Sequence, residues 1–130
     1  MDSLYARTGF DISRTITRNY STSFFSAVNL LAKDIREAIF GIYGFVRLAD
    51  EIVDSFTDYD RQYLLNRFEQ DYAEAIQQGI STNPVINAFE LTVRKYRIDR
   101  HLIEAFLKSM RADLSHPGYS RKSDIEEYIY

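Results

Sequence analysis

The run AIFGIYGFV, from Ala38 to Val46, is apolar or small at every position and leads into RLADEIVD without a breaker. A helix that is hydrophobic all round has to be enclosed by other helices. Elsewhere apolar residues recur at helical rather than alternating spacing, and only two prolines and five glycines punctuate the chain. The expectation is an all-α fold with little room for strands. At 130 residues and 45% hydrophobic content, one modest domain with a buried core is expected.

The spacing predicts helices over Phe10–Arg18, Ser23–Leu31, Lys33–Ser55, Tyr59–Gln78, Pro84–Tyr96 and Asp99–Leu114, with another beginning near Ser123. Gly79 marks a C-terminal stop, and Asn83-Pro84 a fresh start with proline at the first helical position. Asp58 and Asp99 suit N-caps. The clearest loop is SHPGYSRKS, closed by Ser123 and Glu126 in the spacing of a capping box.

Gly41 and Gly44 interrupt the apolar helix at a cost of about 1 kcal/mol each relative to alanine. Close approach of a neighbouring helix or space for a ligand would account for them. At 100° per residue, Tyr43, Arg47, Asp50 and Asp54 fall within about 60° of arc, a single polar stripe. A charged stripe facing a core must be paired or must bind something.

Two carboxylates at i and i+4 repel each other, and no Lys or Arg lies between Leu48 and Asp60 to relieve them. Each can give an oxygen to Mg²⁺, whose coordination is typically completed by water and substrate phosphates. Arg47, one turn earlier, offers a planar donor suited to phosphate oxygens. The plain alternative is an exposed acidic pair with Arg47 bonded to Asp50 or Glu51. Asp58 extends the acidic spacing, although capping of the next helix explains it better.

NYSTSFF, Asn19 to Phe25, sets hydroxyls at Ser21, Thr22 and Ser23 before an apolar helix. They suit either ordinary N-capping or an anion held at free backbone N–H groups. Phe24, Phe25 and Tyr43 suit either plain core or a cavity wall whose ring faces stabilise a cation.

A net charge of −3 and a pI near 5.4 argue against nucleic acid as the main partner. The basic group Arg94, Lys95, Arg97 and Arg100 reads as a solvated face. Without cysteine there is neither a disulfide nor a thiolate metal site, and a reducing cytoplasm is the default location. His101 and His116 lack metal-ligand spacing, and no GxSxG, P-loop or GxGxxG appears. The stretch MDSLYARTGF lacks a basic segment followed by an apolar run, and no apolar stretch of about 18 residues appears in the sequence.

Taken together, YSTSFF, LAKDIREAIFGIYGFVRLADEIVD, MRADL and the terminal EEYIY resemble the N-terminal half of the squalene/phytoene synthase family. The combination of a hydroxyl-aromatic segment with Y-x3-R-x2-D-x3-D carries the resemblance. It implies a helical bundle of the trans-isoprenyl diphosphate synthase type, and head-to-head joining of two prenyl diphosphates through an allylic cation and a cyclopropylcarbinyl diphosphate. Asp50 and Asp54 match the first aspartate-rich motif as Mg²⁺ ligands, with Arg47 and Tyr43 beside them. Ser21 resembles a diphosphate-contacting serine, Phe24 a cavity-wall aromatic, and Tyr130 the tyrosine that opens a YGSA-like segment.

The implied substrate is farnesyl or geranylgeranyl diphosphate, and NADPH enters only if squalene is the product. A lipophilic substrate and product are compatible with peripheral membrane contact. The family's second aspartate-rich motif has no counterpart here, since Asp71, Asp99, Asp113 and Asp124 stand alone. Residues 1–130 are therefore expected to be one domain, the N-terminal part of a longer synthase bundle. Ala32 stands where many relatives have proline, a change confined to the start of the central helix. The competing function is a non-catalytic binding or assembly module of the same fold.

Overall fold

A computed structural model of the chain describes residues 3–114, and among these it shows six α-helices and no strand. They are α1 (Leu4–Tyr20), α2 (Thr22–Val28), α3 (Lys33–Ser55), α4 (Arg61–Gln78), α5 (Pro84–Tyr96) and α6 (Arg100–Leu114). The all-α expectation holds. The loop from Ser115, the helix near Ser123 with its capping box, His116 and Tyr130 lie outside the described residues. By compactness the chain divides into Met1–Arg47 with Asp71–Ile98, and Leu48–Gln70 with Asp99–Tyr130.

In the first unit, α1 begins six residues before the expected Phe10. Ser3 caps it by accepting from the Ala6 N–H at 3.1 Å. Gly9, inside this helix, is a point of contact: a Cβ there would collide with the Pro84 carbonyl at the head of α5. Ala6, Gly9, Ser13 and Thr17 are all buried, a small-residue seam at helical spacing. The Ser13 and Thr17 hydroxyls turn inward and donate to the carbonyls four residues back, which satisfies them in a dry contact.

The same seam explains the α3 glycines. A Cβ on Gly44 would lie 2.7 Å from Ser13 Oγ, and one on Gly41 would lie 2.8 Å from Thr92 Oγ1 and 3.0 Å from Phe10. Both glycines serve helix approach, so that alternative holds over ligand space. The Phe45 ring then stacks on Phe89 of α5 at 3.9 Å, with Tyr72 of α4 tilted against both.

α5 spans the expected residues and starts as expected, with Asn83 Oδ1 accepting from the Val85 and Ile86 N–H groups. Its burial was not foreseen. Every residue from Val85 to Val93 is buried, including Asn87, Glu90 and Thr92. Asn87 accepts from the Ser81 N–H, Thr92 donates to the Ala88 carbonyl, and Glu90 lies 4.0 Å from Arg94. With such partners polar side chains can occupy a core helix. Arg97, at φ 54°, ends the helix in the left-handed conformation; of the expected solvated group Arg94, Lys95 and Arg97 are exposed, while Arg100 is half-buried.

In the second unit, Leu65, Phe68, Ile103 and Met110 are buried, as are Ile52 and Val53 on the last turns of α3. Arg111 of α6 donates to Asn66 Oδ1 at 2.7 Å and pairs with Glu69, fastening α6 to α4. Asp99 caps α6 as expected, accepting from the His101 N–H at 2.8 Å. The cap of α4 is Asp60, which accepts from the Tyr63 N–H at 3.0 Å. The expected cap, Asp58, is instead exposed within the turn that the Tyr59 N–H closes onto the Phe56 carbonyl. That turn uses two more residues before the helix can begin.

Candidate functional site

α3 runs unbroken from Lys33 to Ser55, so helix geometry alone fixes the stripe. Tyr43, Arg47, Asp50 and Asp54 share the side of the helix opposite Phe45 and Ile52. None of residues 36–54 is exposed: Asp50 is buried at 7% exposure, and Tyr43, Arg47, Glu51 and Asp54 are half-buried. The first part of the expectation is met, since these charges are withdrawn from solvent. Burial of a carboxylate is costly unless it is paired or coordinated.

The cover over Tyr43 and Arg47 comes from the corner between α1 and α2. Ser21 makes that corner alone. Its N–H donates to the Thr17 carbonyl and ends α1, while its Oγ accepts from the Phe24 N–H at 3.4 Å and begins α2. Of the two readings of this hydroxyl, capping is the one observed. Thr22 and Ser23 are exposed.

With one residue between the helices, Tyr20 before Ser21 and Phe24 and Phe25 after it meet α3. Phe24 stacks on Tyr43 with ring centroids 5.4 Å apart and stays 41% exposed, so it is not filled core. Phe25 stacks on Phe40. The Arg47 guanidinium lies 4.4 Å from the centre of the Tyr20 ring, within cation–π range. Ser21, Phe24, Tyr43 and Arg47 are thus gathered at one place.

Tyr20 belongs to this group and was missed. The available signal was an aromatic residue immediately before the capping serine, but nothing in local spacing ties it to an arginine 27 positions later.

Tyr43, Arg47, Asp50 and Asp54 all have contacts with neighbours. At the level of single atoms, Arg47 Nε and Asp50 Oδ1 are buried and make no hydrogen bond within the described residues. Among those residues, no three or more His, Cys, Asp or Glu side chains gather as a metal site. The donor set on α3 is two carboxylates about 6 Å apart along the axis with a guanidinium one turn before them. Oxygen-only, incomplete and anion-compatible, it fits an Mg²⁺ ion that keeps water and shares a diphosphate better than it fits a fully caged ion. No described helix is long and apolar enough to cross a membrane.

Comparison with known proteins identifies the family. The chain is 27% identical over 122 residues to a phytoene synthase of Arthrospira platensis, covering 93% of this chain and 39% of that protein. It is 28% identical over 127 residues to a phytoene synthase of Rhodobacter capsulatus, covering 96% and 37%. With a presqualene diphosphate synthase of Rhodopseudomonas palustris it shares 30% identity over 95 residues, covering 72% and 33%. The chain therefore spans about two-fifths or less of the length of these relatives. The model of squalene/phytoene synthases matches residues 17–130, which takes in the Ser21 corner and the whole α3 stripe. On that match the chain belongs to the squalene/phytoene synthase family.

Proposed function

We infer that the protein bearing this chain is a transferase that condenses two prenyl diphosphates head to head in the presence of Mg²⁺, with this chain supplying one side of the site. The observation that carries the reading is the continuous α3 stripe, in which Asp50 is withdrawn from solvent three residues after an arginine held against an aromatic face. The family match over the same residues supports it.

Asp50 and Asp54 would hold Mg²⁺, which when bound supplies Lewis-acid neutralisation of a diphosphate leaving group. The chain's own residues do the rest. Arg47 donates to diphosphate oxygens as charge develops on them, and the Tyr20 ring fixes its plane so that little reorganisation is needed. Ser21 lies at the same corner, within the set that would face the diphosphate. Phe24 and Tyr43 wall the adjoining space with stacked rings that exclude water and offer their faces to an allylic cation. The carboxylates act as ligands and not as general acids or bases. Tyr130 is assigned to substrate on the resemblance alone.

Farnesyl and geranylgeranyl diphosphate are the substrates to try, giving C30 or C40 products, and NADPH is required only for squalene. The test expresses the full natural reading frame and incubates the protein with each diphosphate and Mg²⁺, then reads product mass. A metal-dependent product that falls at least about 100-fold in Asp50→Asn or Asp54→Asn is expected, the scale seen when an electrostatic stabiliser of the transition state is removed. No product with any prenyl diphosphate would favour the binding-module reading. Full activity in both variants would remove the ligand assignment.

A further inference from the structure

We propose that Arg61 is a positioning residue for the second carboxylate of the α3 pair, holding the last turn of that helix so that Asp54 stays in line with Asp50. The inference rests on the reading of those two carboxylates as Mg²⁺ ligands, and all of its residues belong to the unit containing Leu48–Gln70. Asp54 stands one residue before α3 ends at Ser55. The last four carbonyls of a helix have no donor within it, and helix ends fray. The separation of about 6 Å along the axis between Asp50 and Asp54 holds only while that last turn is wound. Once it unwinds, the helix face presents one carboxylate and the pair is lost.

The sequence of α3 does little to keep its own end. Val53 is buried at 4% exposure, where an unanswered carbonyl is costly. The last turn carries no basic residue, and Asp54 sets a negative charge at the negative end of the helix dipole. Arg61, the first cation after Arg47, supplies what is missing. Its Nη1 donates to the Val53 carbonyl at 2.6 Å in a part-buried contact, a charge-assisted bond at the carbonyl next to Asp54.

On its own helix Arg61 is at the wrong end, since a cation at the first position of α4 opposes that dipole. At the end of α3 the sign is favourable. The intervening turn is built, with the Tyr59 N–H closed onto the Phe56 carbonyl and Asp60 capping α4, so the guanidinium is delivered to a fixed place.

The test uses the full natural reading frame and two readouts besides turnover. One is calorimetric affinity for inorganic pyrophosphate in the presence of Mg²⁺; the other is amide hydrogen exchange in peptides covering residues 50–56. Arg61→Gln should quicken exchange there and weaken the Mg²⁺-dependent affinity, each by about tenfold or more, the factor set by one hydrogen bond to a charged group. Arg61→Lys keeps a cation in place and should bind within about threefold of the parent. Arg61→Met, which removes the donor and keeps an unbranched stem, replaces the Gln variant if circular dichroism shows that protein unfolded.

A parent protein that does not bind Mg²⁺ with pyrophosphate overturns the ligand reading of Asp50 and Asp54, and this proposal with it. Three results overturn the proposal alone. Unchanged exchange in the Gln variant means that Arg61 does not hold the end of α3. Faster exchange at unchanged affinity makes Arg61 a helix cap only. Tighter binding in the Gln variant means that the guanidinium opposes the metal by its charge and does not serve it.

Discussion

Replacing Gly44 with alanine tests the geometry that brings the site's corner onto α3. In isolation the change favours the helix by about 1 kcal/mol. In place, the new Cβ would lie 2.7 Å from Ser13 Oγ, 2.9 Å from Ser13 Cβ and 3.3 Å from Ser13 Cα. The hydroxyl could turn away, but Cβ and Cα cannot, and Ser13 is fully buried. Carbon atoms at rest sit about 3.5–4 Å apart, so α1 and α3 must separate by roughly 0.5–1 Å at this point.

Overpacking of this kind costs about 1–3 kcal/mol, and two unyielding carbons place Gly44→Ala in the upper half of that range. After the helix gain is subtracted, a net loss of about 1–2 kcal/mol is expected. It would be read as a lower urea midpoint at unchanged m, with a fall in Tm of roughly 3–10 °C. Adding Ser13→Gly removes both Oγ and Cβ, so the cycle of single and double variants should show a favourable coupling of about 1 kcal/mol or more. A Gly44→Ala protein as stable as the parent, or strictly additive behaviour with Ser13→Gly, would refute the close-approach reading.

Two further outcomes are expected. Asp60→Ala should cost about 1 kcal/mol by removing the α4 cap, while Asp58→Ala should stay within about 0.5 kcal/mol, both measured by urea unfolding; equal effects would return the cap to Asp58. Phe89→Ala, which removes a ring stacked at 3.9 Å on Phe45 and touching Tyr72, should cost about 3–5 kcal/mol. A loss below about 1 kcal/mol would show that those rings do not form the centre of their unit.

What could be read from the sequence was what one helix determines by itself. The span of α3, the proline start of α5, the stop at Gly79 and the phase of the acidic stripe follow from periodicity and backbone chemistry, and all four stand. What could not be read depends on pairs of segments. Gly9 is a helix breaker by propensity and a contact by packing, and only the position of Pro84 decides between them. The polar residues of α5 resemble a solvated face until Ser81 and Ala88 are seen to satisfy Asn87 and Thr92. In the candidate site, the placement of Asp50 and Asp54 on one face of α3 was legible for the same reason as the helix that bears them. Tyr20 was not, because its ring meets Arg47 only after the chain has turned at Ser21.

The first unit is assembled from two separated stretches, and this sets a timetable for the nascent chain. Phe45 is made long before Phe89, and the α1 seam long before Ala88 and the Pro84 carbonyl that close over it. At about 5–20 residues per second, the 44 positions from Phe45 to Phe89 take roughly 2–9 s. Through that interval the first half of the unit has left the ribosome without its cover. Its safeguard lies in composition: the waiting surface of α1 is Ala6, Gly9, Ser13 and Thr17, small and half polar, and two of its hydroxyls can already bond within their own helix. A seam of leucines would pack as an interface too, but it would spend those seconds as an adhesive face. Small residues let the N-terminal helix wait for α5 without recruiting strangers.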